Sequence, residues 1–135
     1  TASFHFLFTG VGLTGADMGA AYLLPRIVGM GRAMEILLFG DKVTAVAAER
    51  MGLVNKVTTP EALLPTAQEW AARLASGPTT ALGLTKRMLN NEWHMDLASA
   101  IEAEAQAQAL MLMGEDHRIF YEAFKEKVAP KFTGR

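Results

Sequence analysis

The chain has 135 residues, 50% of them apolar and 20% charged, which is enough to bury a core and excludes a disordered chain. Thirteen basic side chains against 14 acidic ones give a net charge of -1, so no global field draws the protein to nucleic acid or to an anionic membrane. With no cysteine there is no disulfide framework, thiol nucleophile or thiolate metal site, a composition that suits a reducing compartment, with the cytoplasm as the default.

Phe4-His-Phe-Leu-Phe-Thr9 is short, aromatic and β-prone, and Gly10, Gly12, Gly15 and Gly19 then punctuate a loop. The pattern turns helical at Ala20-Ala-Tyr-Leu-Leu24, where Asp17 stands as a candidate N-cap and Pro25 should end or kink the helix. Two more helices are predicted, over 32–38 closed by Gly40 and over 45–51 closed by Gly52, followed by a short strand Leu53-Val-Asn-Lys-Val57. Leu63, Ala67, Trp70, Ala71 and Leu74 then repeat at helical spacing up to Gly77-Pro78. Residues 79–90 read as a helix with Leu82, Met88 and Leu89 inward, and 97–113 as a long one closed by Gly114. Ile119, Phe120, Ala123, Phe124 and Lys127 define the last.

No apolar stretch reaches the roughly 20 residues a membrane span needs, and no signal-peptide pattern opens the chain. With one opening strand and some six helices the chain cannot build its own sheet, and a lone strand leaves its ladder groups unpaired. The partners of Phe4–Thr9 are therefore expected outside the chain. The missing initiator Met before Thr1 points the same way.

The segments Val11-Gly12-Leu13, Asp17-Met-Gly19, Leu23-Leu-Pro-Arg-Ile-Val-Gly29 and Ala33-Met-Glu-Ile-Leu-Leu-Phe-Gly40 follow Phe4 in order. Ala47-Ala-Glu-Arg-Met-Gly-Leu-Val-Asn-Lys-Val57 and Ala123-Phe-Lys-Glu-Lys-Val-Ala-Pro-Lys-Phe-Thr-Gly-Arg135 continue the series. Together they resemble the crotonase superfamily, the enoyl-CoA hydratase/isomerase family, in its C-terminal portion and over nearly the whole chain. The resemblance implies an α/β crotonase-like spiral fold of which this chain is a mostly helical part. Residues 1–55 would end the spiral core, and 56–135 would form a C-terminal helical lid and oligomerisation region. It also implies an acyl-CoA thioester as substrate with no further cofactor, and a homo-oligomer, trimer or hexamer. The two backbone amides that hold the enolate-like thioester oxygen would lie outside these residues.

Hydratases of this family carry a catalytic glutamate at the position that falls on Phe8, and Phe8 cannot transfer a proton. Several isomerase and hydrolase or dehalogenase branches instead place an acid in the loop before the short helix, and counting back from Pro25-Arg26 puts Asp17 there, so isomerisation, hydrolysis or a different hydration arrangement all stay open. Asp17 is thus either a general acid/base or nucleophile, or an N-cap alone. Phe124 and Lys127 match residues that contact the CoA of a neighbouring subunit, where a cation can pair with phosphate. The alternative is that Phe124 is core and Lys127 solvated surface. A different class of function, a helical assembly module without activity, also remains open.

His5, His94 and His117 lack metal spacing, so no metal is expected. The loop glycines make no phosphate-binding loop, since no Lys-Ser/Thr follows, and open no βαβ dinucleotide unit. Met30, Met34, Met51 and Met88 read as core filler. Glu102, Glu104, Glu115 and Asp116 read as a solvated helix face, and Lys86-Arg87 as an exposed basic pair.

Overall fold

In the computed structural model, which describes residues 2–135, the opening strand is shorter than expected and is not alone. Strand β1 (Ser3–His5) pairs antiparallel with β2 (Lys42–Thr44), Phe4 opposite Val43. This corrects the expectation of a lone strand, since one of its partners lies within the chain. A three-residue strand offers too little alternation to be read from sequence, and what creates it is Gly40. There the chain turns with φ 68°, and a Cβ would meet Phe6 O at 3.1 Å and Thr9 Oγ1 at 3.3 Å. Only glycine lets the backbone pass so close while adopting that φ.

The unit Thr1–Pro60 contains this strand pair and three helices. These are α1 (Ala20–Val28), α2 (Met30–Phe39) and α3 (Ala45–Arg50), the last capped by the Thr44 hydroxyl, which accepts the Ala47 N–H at 3.2 Å. Leu24, Ala33, Ile36, Val43 and Ala48 are buried together, with Phe6, Leu37, Met51 and Val54 packed against them. Helix α1 does not stop at Pro25, which sits inside it. The proline costs one helical bond, yet the helix runs on until Gly29 N–H closes on Pro25 O. The strand expected at Leu53–Val57 does not form. Its donors are spent elsewhere: Leu53 and Val54 N–H both go to Ala48 O, and Val57 N–H goes to Glu49 Oε1 at 2.8 Å.

The unit Glu61–Arg135 is helical. Its elements are α4 (Pro60–Ala75, beginning one residue before the unit), α5 (Thr79–Asn91), α6 (Leu97–Leu112) and α7 (Glu115–Glu126). Asp96 caps α6 by accepting the Ser99 N–H at 3.0 Å. Little here is buried. Leu63, Trp70, Leu74 and Leu89 are exposed, Leu89 against expectation, as are Met30 and Met34 in the first unit. Spacing places Leu63, Trp70 and Leu74 on one face of α4, and the described residues leave that face largely uncovered.

The C-terminal tail folds back onto the start of α7. Asp116 is buried, not part of a solvated face: Oδ1 accepts Thr133 N–H at 2.7 Å and Oδ2 accepts Gly134 N–H at 3.0 Å. No helix of the described residues is long and apolar enough to cross a membrane.

Candidate functional site

The loop ahead of α1 is clamped to α2 at one residue, Leu37. On one side Thr9 Oγ1 donates to Leu37 O at 3.2 Å. On the other, Gly15 is buried so tightly that a Cβ would lie 2.9 Å from the same carbonyl oxygen and 3.2 Å from Leu37 Cβ. Just before the first clamp Phe8 is half-buried, and its carbonyl accepts the N–H groups of Val11 and Leu13. Thr14 Oγ1 then accepts the Ala16 N–H at 3.1 Å, which turns the chain toward Asp17.

Asp17 is exposed and is not the N-cap of α1. Gly19 takes that position in the left-handed region, and Met18 before it is also left-handed, with φ 49°. Two such residues hold Asp17 too far from the first helical turn, so its Oδ1 accepts only the neighbouring Met18 N–H, at 2.9 Å. The link to α1 is made by its backbone instead, Asp17 O accepting the Ala20 N–H at 2.8 Å. Oδ2 has no hydrogen-bond partner among the described residues and is open to solvent. A left-handed residue other than glycine costs on the order of 1 kcal/mol, and Met18 gains nothing by burial, being 91% exposed. The arrangement therefore presents a carboxylate with one oxygen fixed and the other free, on a loop anchored from behind. Such a group can take up or deliver a proton at an atom brought to Oδ2.

Phe124 and Lys127 lie in the other unit, at the end of α7. Phe124 is 71% exposed and stacks on Phe120 with ring centroids 6.1 Å apart, so the core alternative for it is overturned. Lys127 is exposed in the left-handed position that closes α7, its N–H donating to Phe124 O. An exposed lysine and an exposed aromatic ring thus sit three residues apart at the end of α7. Neither lines the groove of about 820 Å³ in this unit, which is walled by Leu84, Met88, Ile101, Phe120 and Phe132. Among the described residues, no three His, Cys, Asp or Glu side chains gather in a way that could hold a metal ion.

Sequence reasoning missed the role of Asp116 and of Thr133, because their hydrogen bonds join positions 17 residues apart. No local pattern announces such a pairing.

Comparison with known proteins follows the same residues. The family model described as enoyl-CoA hydratase/isomerase matches residues 1–135. A 1,2-epoxyphenylacetyl-CoA isomerase of Escherichia coli K12 is 36% identical over 135 residues, which is 100% of this chain and 51% of that protein. A crotonyl-CoA hydratase of Syntrophomonas wolfei is 36% identical over 126 residues, covering 93% of this chain and 48% of that one. Among solved structures, a putative enoyl-CoA hydratase from Streptomyces coelicolor A3(2) superposes with a TM-score of 0.91 at 50% identity. It covers 98% of this chain and 48% of its own. The chain thus spans about half the length of the relatives it matches, and its fold is the crotonase-like one the resemblance implied.

Proposed function

The chain belongs to the enoyl-CoA hydratase/isomerase family, and from that premise we propose that it is part of an enzyme that processes acyl-CoA thioesters. Asp17 carries the reading. Its anchored loop and free Oδ2 suit a group that moves a proton at the carbons next to the thioester, while charge builds on the thioester oxygen. The two amides that stabilise that oxygen come from residues outside this chain. No other cofactor is needed for such a step.

Phe8 favours isomerisation over hydration by a pair of glutamates. Isomerisation asks one carboxylate to accept a proton at one carbon and return it at another, whereas the position that supplies the hydratase glutamate is filled by a half-buried ring. Lys127 and Phe124 hold the CoA of a neighbouring subunit, the ammonium against phosphate and the ring against the apolar part of the ligand. The protein works as a homo-oligomer, a trimer or hexamer, in the cytoplasm.

The test is Asp17→Asn in the intact protein. Turnover of an acyl-CoA substrate falls by about 10²- to 10⁴-fold with an unchanged melting temperature; full turnover would leave Asp17 a loop residue only. A second reading, a helical assembly module without activity, is favoured by the exposed face of α4, where Leu63, Trp70 and Leu74 lie uncovered. Titration with CoA alongside a solution mass separates the two, since oligomers that never bind CoA favour the module.

A further inference from the structure

The tail of this chain is tied down at both ends by polar groups, and the tie joins two helices. We propose that Asp116 is a positioning residue: through the tail segment 132–135 it fixes the start of α7 to the start of α5, and so holds in place the helix that carries Phe124 and Lys127. The link to ligand rests on the reading of those two residues as CoA contacts. The tie itself does not.

Asp116 is 7% exposed, and every polar contact it makes is to the tail or its own turn. Its Oδ1 accepts Thr133 N–H at 2.7 Å and Thr133 Oγ1 at 3.3 Å, its Oδ2 accepts Gly134 N–H at 3.0 Å, and its own N–H donates to Arg135 O at 3.0 Å. Four bonds between one residue and three successive tail residues make a closed clasp. On the far side Gly134 O accepts from Thr80 Oγ1 at 2.5 Å. Gly134 has φ 77°, and any Cβ there would collide with Thr79 Oγ1, so the tail lies flat against the first turn of α5.

Apolar packing cannot do this work in α7. Among its described apolar residues only Ala123 is buried, while Phe120, Tyr121 and Phe124 are half or more exposed. A carboxylate sequestered from water and met by backbone N–H donors makes hydrogen bonds about twice as strong as neutral ones. At a rise of about 1.5 Å per residue, Lys127 stands roughly 16 Å along the axis from Asp116. A small tilt at the clasp is therefore a large displacement at the cation.

The experiment combines amide hydrogen exchange with steady-state kinetics on the intact protein, comparing Asp116→Ala, Asp116→Asn and Thr80→Val. The Thr133 and Gly134 amides are protected in the parent protein, and Asp116→Ala speeds their exchange by about 10- to 100-fold. KM for the acyl-CoA rises severalfold while kcat is unchanged, a split that a general loss of structure does not produce. Asp116→Asn keeps one acceptor oxygen and falls in between. Thr80→Val unhooks the other end without touching a buried charge, and gives the same changes in smaller measure should Asp116→Ala fail to fold. Tail amides that exchange freely in the parent protein overturn the tie. A loosened tail with unchanged KM overturns the positioning role, and Lys127→Ala then locates the fault: if it too leaves KM unchanged, the reading of Lys127 as a CoA contact has failed rather than the clasp.

Discussion

In the unit Thr1–Pro60, Leu24, Ala33, Ile36, Val43 and Ala48 bury one another, whereas in Glu61–Arg135 the buried residues among those described are Ala123 and Asp116. Both units are built of helices with apolar stripes at similar spacing. An apolar stripe, then, states which face of a helix seeks cover; it does not state whether the same chain supplies it. The first unit closes its own core and can brace a loop from behind. The second holds its last helix by a polar clasp and leaves Leu63, Trp70 and Leu74 uncovered, in a chain about half as long as its relatives.

The contrast is broken most sharply by truncation. Ile36→Ala, in the first unit's core at 5% exposure, should destabilise that unit by about 2–5 kcal/mol, while Leu63→Ala on α4 should change the stability of this chain by less than about 0.5 kcal/mol. Denaturant melts of the 135-residue chain followed unit by unit would measure both, and equal losses would refute the difference. Next in size is Gly15→Ala. The added methyl meets Leu37 O and Cβ at the clamp, so the first unit loses about 1–3 kcal/mol and Asp17 shifts with its loop, read as a melting temperature and as new chemical shifts at Met18 and Gly19.

The smallest effect belongs to the second unit. The backbone N–H of Ser99, with its hydroxyl, holds the Asp96 carboxyl below the usual carboxylate range. A group whose pKa is lower folded than unfolded stabilises fully above the unfolded value of about 3.9 and loses that contribution as pH falls through the folded value. Protection of the Ser99 amide should thus fade on acidification below about pH 4. Asp96→Asn, which still caps the helix, should make it insensitive to pH.

Most helices were legible because their ends carry chemistry that acts locally. Gly40 closes α2 in the left-handed region and Gly77-Pro78 stops α4, as the sequence suggests. What escaped depends on residues distant along the chain. Strand β2 exists because β1 lies beside it, and Asp116 is buried because the tail returns to it. Pro25 misled in the other direction, since a helix whose inner face holds Leu24 in a core tolerates one lost bond. At the candidate site, the count from Pro25 located Asp17, but two left-handed residues before α1 reversed its expected capping role. The exposure of Phe124 followed from nothing in its own helix, whose other aromatic rings, Phe120 and Tyr121, are also half or more exposed.

The pairing of Ser3 with Thr44 has a kinetic side. It encircles the whole stretch that bears Asp17, outside the inner clamp of Thr9 on Leu37. Loop-closure entropy makes so distant a contact slow to form, while α1 and α2, adjacent in sequence, can dock early. The ladder should accordingly close after that helix pair, and fraying of β1 would still leave the Asp17 loop held at Thr9 and Gly15.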